Sequence, residues 1–268
     1  MNRLTQSLEQ CREQRRLLLV GFLPAGWPER SQHESSVAAA FDAGIDALEI
    51  AVPNPPLLMD GPLLRRAAAV TSREVTDAAD ALTLAARGRA DRRCPLIALF
   101  YRHAAEELGL SQLLDVCVEA GADAVLMPEH PFAEQLQIAE KARARGLEQV
   151  LFLHQEDDLP LLTATGLDRP VIYMQSADLQ TGGPFDADKA RERLGELREA
   201  LGGRDAFVLV GFGVHGAEEV GELADSSADG VIVGTALTRA AEGGTAPLVD
   251  LVTTMLPALA RPCASSGV

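Results

Sequence analysis

The sequence predicts a (β/α)8 TIM barrel, a single domain over residues 1–268 with an extra helix at its N-terminus. Three observations carry this expectation. Eight short apolar runs alternate with helical patterns along the whole chain, and continuously apolar strands belong to parallel sheets covered on both faces. A signature recurs as AGIDALEI, AGADAVLM, TGLDRPVIYM and SSADGVIV, which sets Asp46, Asp123, Asp168 and Asp229 ahead of the second, fourth, sixth and eighth strands. Such an even-strand repeat fits a barrel made of two-unit modules. The competing layout, a doubly wound open sheet, calls for a Gly-rich dinucleotide turn after the first strand, and GFLPAGWP is not one.

The elements follow in order. Leu4, Leu8 and Cys11 stand at helical spacing, so residues 3–14 form an amphipathic opening helix lying across something larger. LLLVGFL (17–23) is the first strand, stopped by Pro24 and Pro28. A helix over 34–43 leads to IDALEIAV (45–52), and one over 77–87 leads to PLIALFY (95–101). A helix over 111–120 precedes DAVLM (123–127), and one over 132–145 precedes QVLFLH (149–154). LPLLTATG (159–166) leads to PVIYM (170–174), a helix over 186–201 to FVLVGFG (207–213), and AEEVGELAD (217–225) to GVIVG (230–234). Helical residues run to about position 260.

Composition narrows the function. A formal net charge of −15 at pH 7 repels nucleic-acid backbones and anionic lipid, so neither is an expected partner. A small anion is still acceptable, because helix N-termini and backbone amides hold phosphate locally. The four cysteines, Cys11, Cys94, Cys117 and Cys263, form no close pair, and no signal-peptide core or run of roughly 18 apolar residues is present. A reducing cytoplasm is the expected setting.

The stretch DALEIAVPNPPLLMDGP (46–62) carries the chemistry. Glu49 interrupts an apolar strand, where a buried carboxylate is costly unless it is paired or faces a pocket. In a barrel the active site lies at the C-terminal strand ends, so Glu49 and Asp60 are the candidate catalytic pair. The alternative roles are a buried polar layer for Glu49 and a helix N-cap for Asp60. GFGVHG (211–216) and VGTAL (233–237) close the seventh and eighth strands, the usual phosphate site of such barrels. QSADLQTGGP (175–184) reads as a lid or as a simple surface loop.

His103, His130, His154 and His215 fall at or just past strand ends. With Glu129 or Glu156 they offer a divalent-metal site, though polar residues at a barrel mouth need no such role and no tight ligand spacing supports one. Schiff-base chemistry is disfavoured, since Lys141 and Lys189 are the only lysines and both lie in polar helical stretches.

These residues resemble the tryptophan synthase alpha chain family over most of the chain. The anchors are E-x-x-x-P (Glu49 to Pro53), DGP (Asp60 to Pro62), the GFG of the seventh strand and the G-[ST]-A of the eighth. The resemblance implies a carbon–carbon lyase that splits indole-3-glycerol phosphate, a phosphorylated indole, into indole and glyceraldehyde 3-phosphate by a metal-free retro-aldol route, with no cofactor. It implies Glu49 as the acid/base at the ring carbon and Asp60 as the holder of the indole N–H. It puts phosphate amides at Gly182, Gly213, Gly234 and Thr235, the indole pocket at Phe22, Tyr173 and Ile232, and Thr181 in the lid. Where the family has an aromatic residue and Ser-Asp-Pro this chain reads Asn54-Pro55-Pro56-Leu57, at the place where the family meets its beta chain. Pro24 replaces a usual threonine, and the lid lacks the usual arginine and one glycine. A chain working with a beta partner, a stand-alone enzyme, a weakly active or non-catalytic paralogue that binds a synthase partner, and a metal enzyme using the mouth histidines all remain open.

Overall fold

The computed structural model describes residues 2–53, 60–89, 94–153, 158–175 and 185–262. Eight parallel strands close into a barrel in sequence order: β1 (Leu18–Pro24), β2 (Ala47–Ala51), β3 (Leu96–Leu99), β4 (Ala124–Leu126), β5 (Glu148–Leu153), β6 (Val171–Gln175), β7 (Phe207–Gly211) and β8 (Gly230–Val233). The predicted barrel is therefore the observed one, with strand ends displaced by a residue or two.

Among the described residues, twelve α-helices surround and cap it. They are α1 (Arg3–Glu13), α2 (Arg30–Ala43), α3 (Pro62–Thr71), α4 (Ala78–Arg89), α5 (Arg102–Leu108), α6 (Leu110–Glu119), α7 (Phe132–Arg143), α8 (Leu159–Ala164), α9 (Ala187–Leu201), α10 (Ala217–Ala224), α11 (Thr235–Glu242) and α12 (Thr245–Met255). Sequence periodicity did not separate α3 or α5, and it merged α11 with α12. Each is short, and α3 begins on a proline that occupies a first-turn position whose N–H has no helical partner.

Alternation sorts the strand residues into two apolar layers. Leu48, Ile50, Leu96, Ala98, Ile172 and Val208 point out to the helices. Val20, Phe22, Ala47, Ala51, Ile97, Leu126, Phe152, Tyr173, Leu209 and Ile232 fill the barrel. Since side chains alternate with period two, Glu49 must share the interior with Ala47 and Ala51.

The N-terminal end of the barrel is sealed by α1. Leu4, Leu8 and Cys11 join the interior layer, and arginines flanking them meet the repeat aspartates. Arg3 Nε lies 2.5 Å from Asp123 Oδ1, Arg12 reaches Asp229 at 3.0 Å, and Arg16 grips both oxygens of Asp46 at 2.7 Å. Asp229 also accepts from Arg198 at 2.7 Å and from the Val208 amide at 2.8 Å. At the fourth repeat position the pairing shifts by one residue. Asp168 is exposed, and Arg169 instead pairs with Glu9 and Asp205.

Candidate active site

The opposite end of the barrel holds a cavity lined by strand ends and the segments that follow them. Glu49 lies in the β2 register between Phe22 of β1 and Ile97 of β3. Only 2% of it is exposed, and its Oε2 has no hydrogen-bond partner. Burial, then the negative charge of Asp60, pushes its carboxyl up to about 8 from the usual glutamate value of 4.5. Such a group is mostly protonated at neutral pH.

Asp60 directly precedes α3 but does not cap it. Gly61 is the N-cap residue, and no side chain caps this helix. The Asp60 carboxylate turns inward and accepts a hydrogen bond from the Tyr101 hydroxyl, while its carbonyl accepts from Arg65 Nε at 2.5 Å. Burial first, and then the charge of Asp60, raises the Tyr101 phenol well above its ordinary value, so it stays a donor. The Tyr173 phenol is raised too, by burial and then by Glu49 and Asp60.

Aromatic rings form one wall. Phe152 meets Tyr173 edge-on with centroids 5.1 Å apart, and Phe212 lies 6.1 and 6.0 Å from the two. Gly211 is required for this packing, because a Cβ there would fall 2.3 Å from the Tyr173 hydroxyl. The next two residues, Phe212 and Gly213, both adopt left-handed backbone angles, φ 71° and 79°. For phenylalanine that conformation is costly, and such strain concentrates at functional sites.

At the other end of the cavity Gly213 follows β7, and Gly234 and Thr235 open α11. Helix N-termini present unpaired N–H groups and a partial positive charge suited to an anion. His215 lines the cavity beside them.

Of the residues singled out from sequence, Phe22, Glu49, Asp60, Tyr173, Gly213, Ile232, Gly234 and Thr235 all line this one cavity. Gly182, Thr181 and the altered 54–57 stretch lie outside the described residues. Sequence reasoning missed Tyr101, Phe152 and Phe212, together with Leu64, Leu99, Pro128 and Val214. Tyr101 ends an apolar run and Phe212 sits between two glycines, and both positions were readable as strand ends.

Among the described residues the mouth histidines do not converge. His103 sits on α5 beside Glu106 and Glu107, and His130 Nδ1 lies 2.9 Å from Glu134 on α7. His154 is outside the described residues, among which no group of three metal-ligating side chains gathers. No helix among them is long and apolar enough to cross a membrane.

Comparison with known proteins gives a consistent picture. A family model for the tryptophan synthase alpha chain matches residues 8–254. The tryptophan synthase alpha chain of Synechococcus elongatus is 29% identical over 264 residues, covering 97% of this chain and 98% of the relative. That of Methylococcus capsulatus is 29% identical over 242 residues, 89% of each. Among solved structures, tryptophan synthase subunit alpha from Legionella pneumophila superposes with a TM-score of 0.81 at 24% identity, covering 97% and 98% of the two chains. A Mycobacterium tuberculosis tryptophan synthase chain gives 0.86 at 24%, covering 98% and 99%. On the extent of the family match, this chain belongs to the tryptophan synthase alpha chain family.

Proposed function

We infer that this chain is a carbon–carbon lyase cleaving indole-3-glycerol phosphate, or a close analogue, to indole and glyceraldehyde 3-phosphate. The observation that carries the reading is Glu49: a buried carboxyl with an unsatisfied oxygen, raised to about 8, facing a cavity it shares with Asp60.

The chemistry follows from that arrangement. Glu49 as the acid delivers its proton to the ring carbon that bears the glycerol chain, which places positive charge on the ring nitrogen. Asp60, held by Tyr101, stabilises that charge through the N–H. The glutamate, now a carboxylate, takes the hydroxyl proton from the adjacent chain carbon. That oxygen's electron pair becomes the aldehyde C=O, the carbon–carbon bond breaks, and its electrons return to the ring. Glu49 ends protonated, so the cycle closes without a metal or a lysine.

The other assignments follow the same substrate. Phe22, Tyr173 and Ile232 enclose the indole, while the amides of Gly213, Gly234 and Thr235 hold the phosphate, joined by Gly182, with Thr181 in the closing loop. A beta chain is the family's expected partner, and the altered 54–57 stretch makes stand-alone activity the competing arrangement.

The test is indole release from indole-3-glycerol phosphate by the wild-type chain and by Glu49→Gln, with and without an added beta chain. Release by the wild type and loss in the variant are expected. No release at high enzyme concentration under either condition would leave a non-catalytic paralogue, and activity abolished by a chelator would point to the histidines.

A further inference from the structure

A second, smaller cavity opens beside the first. It shares Phe22, Leu64 and Tyr101 with the main site. Its remaining walls are Pro24, Ala51, Val52, Pro53 and Ala68. The ends of β1 and β2 form its floor and α3 its roof, since Leu64 and Ala68 pack into the same interior layer as Phe22 and Ala51.

Two features set what it accepts. Among the described residues every lining side chain is apolar except Tyr101, whose hydroxyl is given to Asp60. A small apolar cavity of this kind stays dry and takes apolar groups rather than water. The space open to a water-sized sphere is about 10 Å³, which leaves room for one group of about methyl or chlorine size and not for a second ring. Two proline rings and two alanines set that size: Ala51 is 4% exposed and Ala68 2%, so a larger residue at either position would fill the space.

We propose that this annex is a specificity pocket for an indole carrying a small apolar substituent, methyl or halogen, on the ring edge next to the N–H. The inference rests on the function proposed above. If Asp60 accepts the ring N–H, the edge beside that nitrogen lies against Tyr101 and Leu64, which form the wall common to both cavities. The opposite edge, next to the carbon protonated by Glu49, then faces away from that wall.

The experiment runs the condensation direction, with glyceraldehyde 3-phosphate and indole, 7-chloroindole or 4-chloroindole. It uses the wild-type chain and two independent plugs, Ala51→Val and Ala68→Val. Calorimetric binding of the same three indoles is read alongside. One apolar group in a fitted pocket is worth roughly tenfold or more in discrimination. In the wild type, 7-chloroindole is expected to exceed 4-chloroindole about tenfold in kcat/KM and in affinity. Each plug should remove that advantage while leaving unsubstituted indole within about twofold. Equal handling of the two chloroindoles with indole itself turned over would overturn the annex and leave the lyase intact. A plug that lowers indole and 7-chloroindole equally, in both variants, would overturn it as well. A 7-chloro preference in binding with no turnover of any indole would keep the annex and overturn the lyase.

Discussion

The two ends of this barrel treat buried carboxylates in opposite ways. At the N-terminal end Asp123 and Asp229 are 4% and 6% exposed, and each is held by two arginines. At the C-terminal end Glu49 is 2% exposed and has an oxygen with no partner, and the charge that acts on it is the like charge of Asp60. Burial is the same and the pairing is not. Paired carboxylates lock α1 over the strand starts and act as structure. An unpaired one is held as an acid, because the low dielectric disfavours its charged form. The division follows the general polarity of barrels, stability at one face and chemistry at the other.

Substitutions at the two ends should therefore separate activity from stability. Glu49→Gln is expected to lower kcat for indole release by about a thousandfold, the scale of a lost acid/base, with no loss of folding stability in urea. An unstable Glu49→Gln protein would erase the contrast. Asp229→Ala should do the reverse: it leaves Arg12 and Arg198 without their shared partner, and breaking a buried ion pair costs about 3 kcal/mol. Its kcat, measured on the folded fraction, should stay near wild type.

Tyr101→Phe is a finer probe of the mouth. Losing a hydrogen bond to a charged carboxylate is worth about 1.5–3 kcal/mol, so kcat/KM should fall roughly ten- to hundredfold as Asp60 loses its anchor. The effect on unfolding should be small.

The pH dependence gives the clearest sign. Glu49 is raised from 4.5 to about 8 in the folded chain. The folded state then binds more protons than the unfolded state between those values, and stability declines as pH rises from about 4.5 to about 8 before levelling. Asp205 is shifted the other way, lowered chiefly by its hydrogen bond to Arg12, so its contribution is lost as pH falls. Glu49→Gln should flatten the decline on the alkaline side and leave the acid side unchanged, as read from urea midpoints across pH.

Much of this was legible from residues alone. The barrel was readable because its strands are uninterrupted apolar runs, and Glu49 stood out because it is the exception in one of them. The recurring aspartates were visible as turn markers, but their partners were not. Arg3, Arg12 and Arg16 are more than a hundred residues from two of the three aspartates they hold, and no local periodicity encodes such a pairing. Asp60 was found by its motif, yet a capping role was equally consistent with Asp-Gly-Pro until Tyr101 was seen to hold its side chain. Tyr101 and Phe212 were missed for a related reason: an aromatic residue closing an apolar strand looks the same in a sequence whether it packs the core or lines a site. The annex beside the mouth arises from small residues on three elements, β1, β2 and α3, and small residues carry no functional signal in a sequence.

The protonation of Glu49 is the most direct measurement. Infrared spectra of the wild-type chain minus Glu49→Gln, taken from pH 6 to 10, should contain the carbonyl band of one protonated carboxylic acid at neutral pH, lost with a midpoint near 8. A difference spectrum with no such band at pH 6.5, or a band that titrates in the ordinary carboxylate range, would contradict the assignment of Glu49 as the acid held at the barrel mouth.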